Sequence, residues 1–306
     1  MALPYVGRFA PSPTGNLHLG SLACALASYL DAKRYGGKWL LRIEDIDPPR
    51  EQTGAAVNII ASLSQHGLEP DGDILWQSQR ADHYQQTLAL LAAEDLTYSC
   101  DCSRQRLLEL GGRYDGKCRR EPAGAPAALR LKVSDLPAGY GHIRPQISFI
   151  DRHLGRQEDD LTHQGDFIIH RKDGLFAYQL AVVVDDIAQG ITQVVRGNDI
   201  LETTARQLFL YRLLGYEPPN YCHIPVISNA QGQKLSKQNF APALDGRLAN
   251  QNLWRALSAL GAQPPPQLWE MEVNSIINWA IDHWQIEQLP HQAAVSEKTL
   301  ACPADL

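Results

Sequence analysis

The chain has 306 residues, 44% of them hydrophobic and 20% charged, with a formal net charge of −6. These values suit a globular protein of about two domains with a sizeable core, and the negative balance argues against broad, non-specific binding to nucleic acid. No apolar run approaches the roughly 20 residues of a membrane helix, and the N-terminus lacks a basic start followed by an apolar signal core, so a cytoplasmic protein with reduced thiols and no membrane partner is expected.

Tyr5 to Ala10 is a short apolar run that reads as a buried strand. Pro11, Pro13 and Gly15 break regular structure. A helical pattern with Leu22, Leu26, Tyr29 and Leu30 on one face begins near Ser21 and can end at Gly36-Gly37. A strand, a Gly/Pro turn and a helix N-terminus form an anion site, because the first helical amides lack partners and carry partial positive charge. Arg8, Ser12, Thr14, His18 and Ser21 are the polar groups placed there. Gly15 to Ser21 approaches the P-loop pattern, but Ser21 stands where that loop needs Lys, which rules it out. Lys38 to Ile43 is a second strand, so the opening is a βαβ unit of a parallel sheet. Ligands of such sheets bind beyond the carboxyl ends of the strands, where Glu44 would also lie and could meet a substrate ammonium, or the acids Glu44, Asp45 and Asp47 could hold a metal.

Residues 53–66 and 80–94 have helical periodicity. Cys100-x-Cys102 and then Cys118 follow, amid six Arg/Lys against three acids over residues 96–120. Thiolates are good zinc ligands, and a four-coordinate structural site needs one more. No His lies inside the segment; Tyr114 and Asp115 are its nearby oxygen donors. Residues 241–306 carry three basic against seven acidic side chains, so a polyanion would touch the cysteine segment instead.

Leu129 to Val133 is a strand candidate in a Pro/Ala/Gly-rich stretch. Phe167 to His170 and Leu175 to Gln179 flank Lys172-Asp173-Gly174, a hairpin signal, and Tyr178 to Asp186 is an apolar run ending in two acids. Ile191 to Val195 reads as a buried strand, with Arg196 at its end. A helix over Leu201 to Leu213 and a strand over Ile224 to Ile227 come next. Lys234-Leu235-Ser236-Lys237-Gln238 then follows a Gly-containing turn, and its lysines could close over phosphates. Helices are expected near 248–260 and 268–284, with Trp254, Trp269, Trp279 and Trp284 in the core. The tail beyond Pro290 shows no periodicity.

His18-Leu19-Gly20-Ser21 and Lys234 to Gln238 resemble the two signatures of class I aminoacyl-tRNA synthetases, with Ser21 and Gln238 departing from the usual His and Ser. Arg8 to Gly15, Arg42-Ile43-Glu44-Asp45, Val183 to Asp186, Ile191 to Asp199 and Lys234 to Lys237 resemble glutamyl-tRNA synthetase, in that family's order. Fewer than 70 residues follow the second signature, too few for the family's anticodon-binding domain. The chain is therefore most similar to a truncated paralogue group that modifies aspartate tRNA. Ile43 to Arg50, Trp76 to Arg80 and the Tyr114-x-x-x-Cys118 spacing strengthen that match.

The resemblance implies an α/β fold: a Rossmann-like parallel sheet with an inserted zinc-binding segment and a short C-terminal helical domain. The expected divisions are 1–95 and 166–240 for the catalytic halves, 96–165 for the insertion and 241–306 for the helices. It implies ATP-dependent activation of L-glutamate to glutamyl-adenylate, with Mg²⁺. Glutamate is then transferred to queuosine in the anticodon stem-loop of aspartate tRNA; the alternative is charging of a tRNA 3′ end. His18, Gly20, Lys234 and Lys237 are implied at the ATP. Arg8, Ser12, Glu44, Tyr178 and Arg196 are implied at glutamate. Cys100, Cys102, Tyr114 and Cys118 are implied around one structural zinc. The chain is expected to act as a monomer.

Overall fold

Val6–Phe9 forms strand β1, and helix α1, Leu19–Arg34, returns the chain to lay β2, Lys38–Ile43, parallel to it. The apolar stripe of α1 is fully buried at Leu22, Leu26 and Leu30. Lys33 and Arg34 end the helix where cations suit its dipole. The next crossover carries helix α2, Ala55–Gln65, to the short parallel strand β3, Leu75–Trp76; helix α3, Ala81–Ala93, follows. The computed structural model describes residues 4–121, 123–235 and 241–300.

A small antiparallel sheet interrupts this pattern. It orders β4 (Thr97–Cys100), β5 (Ala128–Leu131) and β8 (Phe167–His170) side by side, with helices α4 (Arg104–Glu109) and α5 (Lys117–Arg120) between its first two strands. Between β5 and β8 in sequence lies the hairpin of β6 (Gln146–Asp151) and β7 (Gly155–Asp160). Strand pairing thus crosses the division expected at 165/166. β6 joins the catalytic sheet, and β8 closes the inserted one. The partner of β6 is some 70 residues further on, at Tyr221, so no local periodicity announces it.

The apolar run from Tyr178 is helix α6, Tyr178–Ala188. It is buried on nearly every side, so its sequence has no polar face. β9 (Gln193–Gly197), helix α7 (Thr204–Leu214) and β10 (Asn220–Ile224) form the second parallel unit. Thr192, just before β9, donates its N–H to the Val6 carbonyl at 2.9 Å. The two parallel units therefore meet at β1 and β9, with β2 beyond one and β10 beyond the other. That meeting is a topological switch point, where a crevice opens at the strands' carboxyl ends.

After β11, Val226–Ser228, the helices α8 (Ala249–Ala259) and α9 (Val273–His283) pack on α1. Leu253, Leu257, Ile276 and Trp284 share one core with Leu22, Leu26 and Leu30. Trp254 is also buried, and Trp269 and Trp279 pack partly buried against it. Beyond Pro290 the described residues hold a strand: Ala294–Ser296 forms β12, which pairs in parallel with β11. Three residues are too few to show a period, which is why the sequence concealed it.

Candidate active site

The crevice at the switch point is a pocket of about 300 Å³. Arg8, Ser12, His18, Gly20, Glu44, Tyr178, Arg196 and Lys234 all line it. Eight side chains and backbones from the start, middle and end of the sequence thus converge on one cavity. Ser236, Lys237 and Gln238 lie outside the described residues.

The floor is the turn after β1. Gly15 has φ 144°, a value open to glycine and strained for other residues. His18 is the N-cap of α1, and its Nδ1 accepts from the Ser21 N–H at 3.2 Å. That bond assigns the ring proton to Nε2 when the imidazole is neutral. A Cβ on Gly20 would lie 3.2 Å from the His18 ring, so the absence of a side chain keeps the helix N-terminus open beside the imidazole. This is an arrangement for an oxyanion or phosphate.

The inner wall holds buried charges. Asp186 accepts from Arg8 Nε at 3.2 Å and from Arg42 Nη2 at 2.6 Å. Burial opposes ionisation of Asp186, but the two guanidinium groups hold its carboxyl below the usual range. Arg8 is therefore already engaged with an acid of the protein. Glu44 differs: its Oε1 is buried with no hydrogen-bond partner, and Arg42 Nε stands 3.6 Å away. Burial pushes the Glu44 carboxyl up to about 7, against the pull of Arg42 and Arg8. An unpartnered buried acceptor lining a cavity is a place for a ligand's donor. Burial also pushes the Tyr178 hydroxyl up, so it stays a neutral hydrogen-bonding group.

Arg196, at the carboxyl end of β9, is 3% exposed. It donates to His223 Nε2 at 3.0 Å, Gln207 Oε1 at 2.8 Å and Thr204 Oγ1 at 2.7 Å. These acceptors are neutral, so the cation keeps its charge. On the outer wall Lys234 pairs with Asp199, and Val226 and Ile227 of β11 supply apolar surface. Asp186, Asp199, Cys24 and Gln207 were not singled out as site residues from sequence. Asp186 left a signal as the second of two acids ending an apolar run, and Asp199 as the end of the block Ile191 to Asp199; Cys24 and Gln207 left none.

The sulfurs of Cys100, Cys102 and Cys118 lie within 4.8 Å of one another. The Tyr114 oxygen accepts from the Cys118 N–H at 2.8 Å, and the ring is buried beneath the Arg130 guanidinium, 3.9 Å from its centroid. Burial and the neighbouring thiols push Cys102 up to about 11. Such crowding of thiols suits a divalent ion that would hold them as thiolates. The three sulfurs could hold a metal ion, and the Tyr114 oxygen lies next to Cys118.

Residues 5–253 match the family described as tRNA synthetases class I (E and Q), catalytic domain. The chain belongs to that family, and it is an enzyme of the ligase type. Within it, the chain is similar to glutamyl-Q tRNA(Asp) synthetases. It is 48% identical over 297 residues to that of Pectobacterium atrosepticum, covering 96% of this chain and 89% of the relative. It is also 48% identical over 294 residues to that of Escherichia coli K12, covering 95% and 92%. A glutamate-tRNA synthetase structure from Elizabethkingia anophelis shares the fold, with a TM-score of 0.78 at 24% identity over 97% of this chain and 69% of that one.

Proposed function

We propose that this enzyme activates L-glutamate with ATP and transfers the glutamyl group to queuosine in the anticodon loop of aspartate tRNA. One observation carries the amino-acid part. A single pocket holds a buried carboxylate oxygen with no hydrogen-bond partner, on Glu44, and a buried cation with no carboxylate paired to it among the described residues, on Arg196. Glu44 suits the substrate ammonium and Arg196 the γ-carboxylate, while Ser12, Tyr178 and Arg8 border the space between. Glutamine, with an amide in place of the carboxylate, cannot answer the Arg196 charge.

In activation, an α-carboxylate oxygen of glutamate attacks the α-phosphorus of ATP, and pyrophosphate leaves. No protein nucleophile is needed, and catalysis is positioning with charge stabilisation. His18 Nε2–H, the first amides of α1 around Gly20, Lys234 and Lys237 are the proposed donors to the triphosphate. Mg²⁺ bound with ATP would supply further neutralisation there. His18→Ala is expected to lower activation by roughly 100- to 1000-fold, as loss of one aligned donor does.

The names of the 48%-identical relatives support queuosine tRNA as acceptor. The cysteine segment, with Arg113 and Arg120 beside Tyr114, is the proposed grip on the RNA backbone. Zinc would be held by Cys100, Cys102, Cys118 and Tyr114, and would fix the shape of that segment. The test offers labelled glutamate and ATP to aspartate tRNA with and without queuosine. Label confined to the queuosine-containing tRNA, on the modified base, supports the reading. Equal labelling of both, with the bond at the 3′-terminal adenosine, would replace it with ordinary charging.

A further inference from the structure

Arg196, His223 and Asp151 stand in a row across three adjacent strands. The register sets Arg196 of β9 opposite His223 of β10, and Tyr221 of β10 opposite Asp151 of β6. Arg196 Nε donates to His223 Nε2 at 3.0 Å, and His223 Nδ1 lies 2.6 Å from Asp151 Oδ2. His223 and Asp151 are 0% and 1% exposed, and neither lines the pocket.

A carboxylate only accepts, so Asp151 requires the ring proton on Nδ1 and leaves the lone pair of His223 on Nε2. Only that tautomer can accept from Arg196. Asp151 is itself fixed by the backbone N–H groups of His153, Leu154 and His223, at 3.0, 2.9 and 3.2 Å. Burial works against its charge, yet the His223 hydrogen bond and these amides keep its carboxyl below the usual range. Burial pushes His223 down, which preserves the neutral ring. Gln207 and Thr204 take one donor from each terminal nitrogen of Arg196. The guanidinium lies over the Tyr221 ring, 4.9 Å from its centroid. Of its five N–H donors one remains on each terminal nitrogen. The contrast is with Arg8, which lines the same pocket: it rests, with Arg42 behind it, directly on the acid Asp186, whereas Arg196 meets its acid only through an imidazole.

We infer that Asp151 and His223 form a relay that orients the Arg196 guanidinium without neutralising it, which makes His223 a specificity-determining positioning residue for a substrate side chain ending in a carboxylate. This rests on the reading of Arg196 as the γ-carboxylate contact. An acid at 223 would hold Arg196 equally well but cancel the charge that separates a carboxylate from an amide. The imidazole transmits orientation and keeps the carboxylate of Asp151 one ring away.

The test is glutamate-dependent ATP–pyrophosphate exchange with the full chain, with thermal unfolding followed in parallel. H223L removes the acceptor at similar volume, and H223Q restores one. D151N lets an amide donate to Nδ1 and so permits the wrong tautomer. H223L and D151N are expected to raise KM for glutamate at least tenfold and to lower the preference for glutamate over glutamine, with KM for ATP unchanged. H223Q should recover much of the loss. R196A separates the two levels. If R196A leaves KM for glutamate unchanged, the pocket reading itself fails. If R196A raises it while D151N and folded H223L keep wild-type KM and preference, the relay is overturned and the pocket reading stands. Equal rises in KM for ATP and glutamate would also overturn the relay, because they mark general damage. If H223L does not fold, D151N decides between these outcomes on its own.

Discussion

Glu44 is a group whose environment disfavours its own charge until a ligand arrives. Burial, outweighing Arg42 and Arg8, pushes its carboxyl up from the ordinary 4.5 to about 7. An ammonium binds the ionised form, so KM for glutamate should rise as pH falls through about 7, approaching tenfold per unit below it. E44Q should raise KM at pH 8 by roughly 10- to 100-fold, the cost of a charge-assisted hydrogen bond, and flatten the profile. Stability moves in the opposite sense. The folded value exceeds the unfolded one, so this group costs the unliganded protein stability as pH rises from 4.5 through 7. Denaturant unfolding of E44Q between pH 5 and 8 should lack that loss. Sequence could place Glu44 at a strand's end and Arg196 at another. It could not show that Arg8 is engaged by Asp186 and Arg196 by neutral groups, since those partners are 178 residues away in one case and on separate elements in the other.

At the scale of elements, the cysteine segment is tied to the rest of its sheet by Asp166. That buried carboxylate pairs with Arg119 of α5 and accepts from the Tyr98 hydroxyl of β4 and the Val133 N–H. The segment is thus anchored away from the glutamate pocket, and metal loss should affect the two half-reactions unequally. The protein as purified should contain about one zinc per chain, and C118S should lose it. C118S is then expected to keep pyrophosphate exchange within about threefold while transfer to tRNA falls at least tenfold. Metal analysis beside the two assays checks this. The clustering of Cys100, Cys102 and Cys118 was legible because the three are local in sequence. Sequence offered Tyr114 and Asp115 alike as nearby oxygen donors, and only the family resemblance chose between them. Asp166, the anchor, had no sequence signal, because its partners come from three separate elements.

At the scale of the molecule, Asp31 joins distant parts of the chain. It lies fully buried in α1, accepts from the Trp284 indole at 3.1 Å, and is met by the Tyr5 hydroxyl and the Arg152 guanidinium. The first strand, the β6–β7 turn and the end of α9 are thereby fastened to one carboxylate. Removing one partner of a buried ion pair costs about 3–5 kcal/mol, so D31A should lower unfolding stability by roughly 3 kcal/mol in denaturant titration. The opening parallel unit was readable from strand and helix periods, but the strand expected at Ile224 to Ile227 is split between the end of β10 and the start of β11. The joint of the two parallel units at Thr192 and the fusion of α8 and α9 with α1 were not readable, because both are contacts between surfaces far apart in sequence.

The pairing of β12 with β11 has a temporal consequence. The Ala293 carbonyl accepts from the Val226 N–H at 3.2 Å and from the Asn198 side chain at 2.7 Å, and Val226 is part of the pocket wall. A polypeptide emerging from the ribosome presents β1 and the His18 turn first, yet the strand that backs β11 comes almost 300 residues later. The pocket wall at Val226 and Ile227 is therefore made some 65 residues before the strand that backs it. A fragment ending at residue 253, where the family match stops, would retain every proposed glutamate contact but lack the strand that braces this wall of the pocket.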